Sequence, residues 1–278
     1  MENKIFILGI GAQKSGTSWL YHYLKKHPNV NLGFMKEYHV FDALYLNNRK
    51  IRENILQWRI NRVINDLKKP TIKDIMLLKF LGDLNVYFQY FRSLVDKNAE
   101  ISVTGDITPS YAALDREAFA DIRQQIIQHG FRPKVIFLLR DPVERCISLS
   151  RMLMRNSGVA PTESAEIEHL KQNYSTVDYV IRTRYDLTIK NVEAVFNTDE
   201  IHYEFYETLF MEKSIQAICS QLKIPYVKPD FEHQPNKSRT SNEIPTSLRV
   251  EIANFYTNVY AEIAKKFGEE RIKSIWPS

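Results

Sequence analysis

Cysteine is nearly absent from this sequence. Cys146 and Cys219 are the two in 278 residues, and they lie far apart. Neither sits in the Cys/His spacing of a metal site. Two buried, reduced thiols acting as small hydrophobes are the expectation, and so few in so large a chain point to a reducing compartment. No apolar run approaches the roughly 18 residues that a membrane helix needs. Met1-Glu2-Asn3-Lys4 leads into apolar sequence without a signal-like core. A soluble, cytoplasmic protein with no membrane partner is expected. Charge of one sign is not concentrated either. The formal net charge of +5, with a pI near 9.0, is spread along the chain. That balance suits an anionic cofactor or substrate, but no Lys/Arg stripe of the kind nucleic acid demands is present. Internal repeats and low-complexity tracts are also missing.

What is present is an alternation of strand-like and helix-like text. Ile5–Ile10 is apolar on both faces and reads as a buried parallel strand. A glycine-bearing loop follows, then a helix over Thr17–Lys26, ended by His27-Pro28. Val30–Leu32 reads as a short strand, and Asn48–Lys97 as several aromatic-rich helices punctuated by Pro70 and Gly82. Ile101–Gly105 and Val135–Leu139 read as strands, with a helix over Arg116–His129 between them. After Arg140, Asp141 has the character of an N-cap, Pro142 of a first helical residue and Glu144 of the reciprocal capping residue, for a helix running to about Arg155. Asn156–Thr176 reads as a polar loop with a short helix, Val177–Phe196 as a helix, Ile201–Phe205 as a strand, Glu212–Leu222 as a helix and Lys223–Arg239 as a long loop. Leu248, Ile252, Phe255, Val259, Ile263 and Phe267 predict one long final helix closed by Gly268.

This order predicts an α/β fold of three layers, a mostly parallel central sheet flanked by helices. Such sheets bind ligands at the C-terminal ends of their strands. Lys14, Glu37, Thr108 and Arg140 are therefore expected on one rim.

The loop after the first strand sets the chemistry. Strand, phosphate-sized loop and helix present free amides and the positive end of a helix dipole to an anion. Gly11 to Gly16 has the spacing of a Walker A loop, but the residue after Gly16 is Thr17, and the lysine is Lys14, inside the loop. A lysine there projects differently from one that reaches β/γ-phosphates. Asp106 and Asp141 are the candidate Mg²⁺ carboxylates, and Asp141 already serves as a helix cap. ATP or GTP hydrolysis is thereby demoted.

Gln13-Lys14-Ser15-Gly16-Thr17-Ser18-Trp19 resembles the 5′-phosphosulfate loop of sulfotransferases that use 3′-phosphoadenosine 5′-phosphosulfate (PAPS), with Gln13 where the family commonly has Pro. The family's second signature is an apolar strand, then Arg, then a helical Ser eight residues on. Val135–Leu139, Arg140 and Ser148 match it. Lys36-Glu37-Tyr38-His39-Val40-Phe41-Asp42, Thr108-Pro109-Ser110-Tyr111 and Asn236-Lys237-Ser238-Arg239 are similar to segments of the carbohydrate (heparan-type) branch. Arg184-Tyr185 and Tyr206-Glu207 are weaker echoes. One departure stands out: that branch usually has Lys just before T-P-x-Y, and this chain has Ile107.

The resemblance implies a P-loop-like sulfotransferase fold in a single domain over residues 1–278, with a helical insert at about 43–100 shaping the acceptor side. It implies PAPS as cofactor, PAP as product and no metal. The partner implied is a hydroxyl-bearing acceptor, a carbohydrate or other alcohol, and no nucleic acid. Lys14 is expected on the bridging oxygen where charge develops, and Ser15, Gly16, Thr17 and Ser18 around the 5′-phosphate. Arg140 and Ser148 are expected on the 3′-phosphate, with Lys237 and Arg239 completing that pocket. Trp19 either stacks on adenine or is a core residue. Glu37 is the candidate general base and His39 its rival, and Asp106 is a candidate for positioning the acceptor. The competing readings are a P-loop kinase or NTPase, and a non-catalytic nucleotide- or nucleic-acid-binding module.

Overall fold

The computed structural model describes residues 4–64, 71–158, 162–231 and 243–276. Its centre is a sheet of four parallel strands, β1 (Ile5–Gly11), β2 (Val103–Ile107), β3 (Arg132–Leu139) and β4 (Ile201–Phe205), in the order β2-β1-β3-β4. Each internal strand is apolar on both faces because both faces are covered. In β1, Phe6, Leu8 and Ile10 enter one apolar cluster while Ile5 and Ile7 enter the other. In β3, Val135, Phe137 and Leu139 go one way, Ile136 and Leu138 the other. The period-2 alternation of a strand thus feeds two helical layers.

On one face pack α1 (Thr17–Lys26) and α12 (Glu212–Gln221). The other face carries most of the remaining helices: α2 (Phe41–Tyr45), with α3 (Arg49–Ile64) packed on it and on α4 (Ile72–Gly82), then α5 (Leu84–Asp96), α6 (Arg116–Gln128), α7 (Pro142–Asn156), α8 (Glu163–Asn173), α9 (Val177–Val180), α10 (Tyr185–Glu193), and α13 (Thr246–Phe255), α14 (Thr257–Phe267) and α15 (Glu269–Ile275). A one-turn helix, α11 (Tyr206–Leu209), follows β4 directly. No described helix is long and apolar enough to cross a membrane.

Several sequence expectations move. Val30–Leu32 forms a single bridge, Val30 to Val103, and no strand. The second strand begins at Val103, two residues later than its apolar text suggests, so that Asp106 and Ile107 belong to the sheet. The polar stretch after α7 holds the 11-residue α8, capped by Thr162 and docked through buried Leu170 and the Arg151–Glu166 ion pair. The last predicted helix is two, divided at Tyr256, which is 1% exposed and donates its hydroxyl to the Tyr174 carbonyl at 2.7 Å. Gly268 ends α14 with φ of 99°, as expected of a helix C-terminus.

β1 lies between β2 and β3, so the chain leaves it first to one side and later to the other. That reversal opens a crevice beyond the C-terminal ends of β1 and β3. Lys14 follows one of those ends and Arg140 the other.

Candidate active site

A cavity of about 480 Å³ lies at this crevice, lined by residues from the loop after β1, from Lys36–His39, from Pro109 and Ser110, and from α7 and α11. Its floor is the loop Ala12–Gly16. Lys14 has φ of 73°, a left-handed conformation that non-glycine residues rarely adopt. Arg140 Nη1 holds it there by donating to the Lys14 carbonyl at 2.9 Å. Burial pushes the Lys14 ammonium down to about 8, helped by the cations Arg155, Arg140, Lys36 and Arg145. A cation so placed gains from any anion that enters.

Gly16 caps α1 with φ of 89°, and α1 has no side-chain cap. A Cβ on Gly16 would lie 2.6 Å from Leu209 Cδ2, so only glycine lets the loop pass α11 this closely. Thr17 and Ser18, whose amides begin α1, both line the cavity. Ser15 is fully buried, with its hydroxyl facing that of Tyr185. Trp19 is 5% exposed and its ring lies parallel to those of Tyr23 and Phe231, yet it also lines the cavity. Core and cavity thus share this residue.

Arg140 stacks over the Tyr206 ring, 4.2 Å to its centroid, and faces Glu144 at 3.6 Å. Its Nε is buried without a partner among the described residues. Ser148 lines the same cavity from α7. Asp141 does cap α7, accepting from the amides of Val143 and Glu144. Glu144 does not return the bond; it pairs with Arg249 at 2.5 Å. Glu207 takes the Asp141 amide instead, at 3.1 Å. Lys237 and Arg239 lie outside the described residues.

The other end of the cavity is built by the turn before α2. Glu37 pairs with Lys36 and lies 3.4 Å from His39 Nε2. His39 Nδ1 faces Asp42 at 2.7 Å, and Ser110 also donates to Asp42. Burial acts to raise the Glu37 carboxyl, but the His39 bond and the Lys36 charge outweigh it and hold it at about 2. Burial opposes charge on His39 too, yet Asp42 and Glu37 raise it to about 9. At neutral pH this end therefore presents a carboxylate between two cations, and His39 carries its proton.

Two expectations are corrected here. Asp106 does not reach the cavity. It is fully buried in β2 and accepts from the hydroxyls of Thr108, Tyr111 and Tyr87 at 2.6, 2.6 and 2.9 Å. Burial raises its carboxyl to about 6 against those bonds. It braces the turn that carries Glu37, since Tyr111 in turn receives the Val40 amide at 3.1 Å. Thr108, spent on Asp106, is buried likewise. No described residue of the helical insert lines the cavity. Its aromatics Phe80, Tyr87, Phe88 and Phe91 are fully buried against Phe6, Tyr38 and Phe41, because burying rings under the sheet outweighs presenting them to solvent.

Several residues of the cavity were not singled out from sequence. Lys36, Arg151, Arg155 and Arg182 line it, while Ile107 is buried beside Gly9. Arg151 and Arg155 lie three and seven residues beyond Ser148, on one face of α7, a signal that helical spacing carries. Arg182 lies in a turn between α9 and α10 and has no such signal.

The sequence profile described as "Sulfotransferase family" matches residues 5–228. The chain is similar to the solved sulfotransferase from Alicyclobacillus acidocaldarius, at 18% identity and a TM-score of 0.59, covering 94% of this chain and 95% of that one. At that identity the likeness speaks for the fold: a mostly helical α/β chain around a four-stranded parallel sheet. It is also similar to the sulfotransferase domain from the Synechococcus PCC 7002 olefin synthase, at 16% identity, a TM-score of 0.47 and coverage of 92% and 96%, an overlap on which nothing further rests. None of these matches singles out the carbohydrate branch. A search of the curated proteins finds no match.

Proposed function

The chain belongs to the sulfotransferase family, and on that premise we propose that it transfers the sulfuryl group of PAPS to a hydroxyl of an acceptor, a carbohydrate or other alcohol. The observation that carries this reading is the tie between Lys14 and Arg140, one cation at each of two adjacent strand ends within one cavity. Two anion sites in register suit a cofactor with a 5′-phosphosulfate and a 3′-phosphate better than a simple nucleotide triphosphate.

The residues fit such a group. The uncapped first turn of α1 offers the amides of Thr17 and Ser18, and Ser15 adds a buried hydroxyl beside them. Arg140 and Ser148 would hold the 3′-phosphate, Arg140 with an Nε still unspent. Lys14 lies among cations in a desolvated loop, where its charge acts strongly on a developing anion. When bound, PAPS supplies the activated sulfuryl group and departs as PAP.

Glu37 serves as the base and His39 does not, because His39 already holds its proton at neutral pH. His39 orients Glu37 instead, itself anchored by Asp42. Glu37, held at about 2, is a weak base. It takes the acceptor's proton only as the oxygen becomes acidic by bonding to sulfur. An anion beside Lys36 competes for that ammonium and returns basicity to Glu37.

Calorimetric titration with PAP, ATP and GTP tests the reading. PAP should bind far more tightly than either triphosphate, without Mg²⁺. ATP binding equal to or tighter than PAP would sink it in favour of a P-loop kinase or NTPase.

A further inference from the structure

We propose that Arg145 is a positioning residue of the cofactor site: a buried guanidinium, kept without a carboxylate partner, whose charge is complemented by the anions that bind beyond the loop above it. The inference rests on the reading of the cavity as a PAPS site.

Arg145 is fully buried and heads the largest buried side chains among the described residues. It lies in the first turns of α7, inward of Glu144 and Ser148, which face the cavity. Its Nη2 donates to the Tyr179 carbonyl at 3.3 Å and approaches Cys146 Sγ at 3.6 Å, and the guanidinium lies 5.6 Å from the centroid of the Tyr179 ring. Its Nε and Nη1 have no partner among the described residues. None of these contacts brings a negative charge. The hydroxyls of Tyr179 and Tyr185 are buried on this side of the loop and face those of Ser150 and Ser15, neutral groups that bring no counter-charge.

A charge in such a place is among the costliest features a fold can hold. A guanidinium does not escape the cost by losing its proton. Packing alone would favour an apolar side chain of similar length. The charge therefore answers to something outside the core, and its field is felt at the cavity: Arg145 is one of the cations that depress Lys14, with Arg155, Arg140 and Lys36, and it also lowers Arg182. Every ionic neighbour that shapes Lys14 is positive. Glu37 and Glu144 already offset Lys36 and Arg140, and an incoming anion balances what is left. Arg145 adds to it a fixed positive potential that no change of pH removes and no solvent screens.

Two variants test the inference, with PAP as the probe. Arg145→Gln keeps a donor toward the Tyr179 carbonyl and loses the charge. Arg145→Met keeps an unbranched stem and loses both. Each should melt without PAP no lower than the wild type, and each should bind PAP about threefold more weakly, the size expected of one charge acting across a loop on a polyanion. The titration of Lys14, followed by its reactivity toward an amine reagent, should move upward from about 8 in both. A merely structural role moves neither PAP affinity in the Gln variant nor Lys14. Wild-type PAP affinity in Arg145→Gln overturns the proposal, whether or not the Met variant folds. If the wild type itself does not bind PAP, the cofactor reading has failed instead, and the Lys14 shift alone decides the role of Arg145.

Discussion

Arg140 Nη1 donates to the backbone carbonyl of Lys14 across 2.9 Å and 126 residues of sequence. The bond joins the ends of β1 and β3 and holds Lys14 in its left-handed conformation. The same arginine would grip one end of the cofactor and aim the lysine at the other. On the proposed reading, binding and transfer would be coupled through one side chain. Arg140→Ala should weaken PAP by about 10- to 100-fold, the worth of a charge-assisted hydrogen bond, and Arg140→Lys should recover only part of it. Calorimetry with PAP checks this, and unaltered affinity in the Ala variant would remove Arg140 from the site.

Lys14→Met should separate binding from chemistry. Transfer should fall about 10²- to 10³-fold, as when a donor to developing charge is lost. PAP affinity should change by less than about tenfold, since the α1 amides and Arg140 remain. Single-turnover transfer and PAP titration read the two effects. A transfer rate within tenfold of the wild type would contradict the role given to Lys14.

The pH dependence of kcat/KM follows the free enzyme. Glu37 is ionised above about 2, so no acidic limb should appear between mildly acidic and neutral pH. Activity should fall as pH rises through about 8, where Lys14 loses its proton, with His39 following at about 9. Glu37→Gln should abolish transfer across the range while PAP still binds. A profile that climbs between pH 6 and 7 would point to a neutral histidine base and against Glu37.

Asp106 contributes to stability in the opposite sense from a salt-bridged carboxylate. Its folded-state value, about 6, lies above the ordinary 3.8. The folded protein therefore binds the extra proton in that window. Its contribution is complete below about 4 and is lost as pH rises to about 6. Asp106→Asn should flatten the dependence of melting temperature on pH across that interval. An unchanged slope would mean that another group is responsible.

Gly16→Ala places a methyl group 2.6 Å from Leu209 Cδ2 and 3.3 Å from the Tyr206 ring, in a left-handed conformation. A loss of about 2 kcal/mol is expected from the backbone conformation alone. The denaturation midpoint should drop with the slope unchanged, and PAP binding should weaken because this residue aims the first amides of α1. Wild-type stability would show that the loop has room that its geometry denies.

Much of the architecture was legible because single residues carry it. The runs at Ile5 and Val135 are apolar at every position, which only a two-faced burial explains, and β1 and β3 are the sheet's inner strands. Pro28 and Gly268 end helices through their own backbone restrictions. The weaker expectations failed where tertiary packing competes with local preference. Asp106 and Ile107 extend β2 because three hydroxyls and Gly9 receive them. Tyr256 breaks an unbroken helical period by seating its own hydroxyl on the Tyr174 carbonyl.

Local order determined the loop Gln13–Trp19, its lysine inside the turn and the strand, Arg and Ser after it, since their chemistry depends on neighbours a few residues away. Tertiary structure alone decided which charges meet. It turned the aromatic insert into the core, withdrew Asp106 from the cavity, set Glu37 between Lys36 and His39, and left Arg145 buried without a counter-charge. The reason is physical: a side chain's ionisation depends on solvent exclusion and on charges brought close in space, and neither is written in the spacing of residues along a chain.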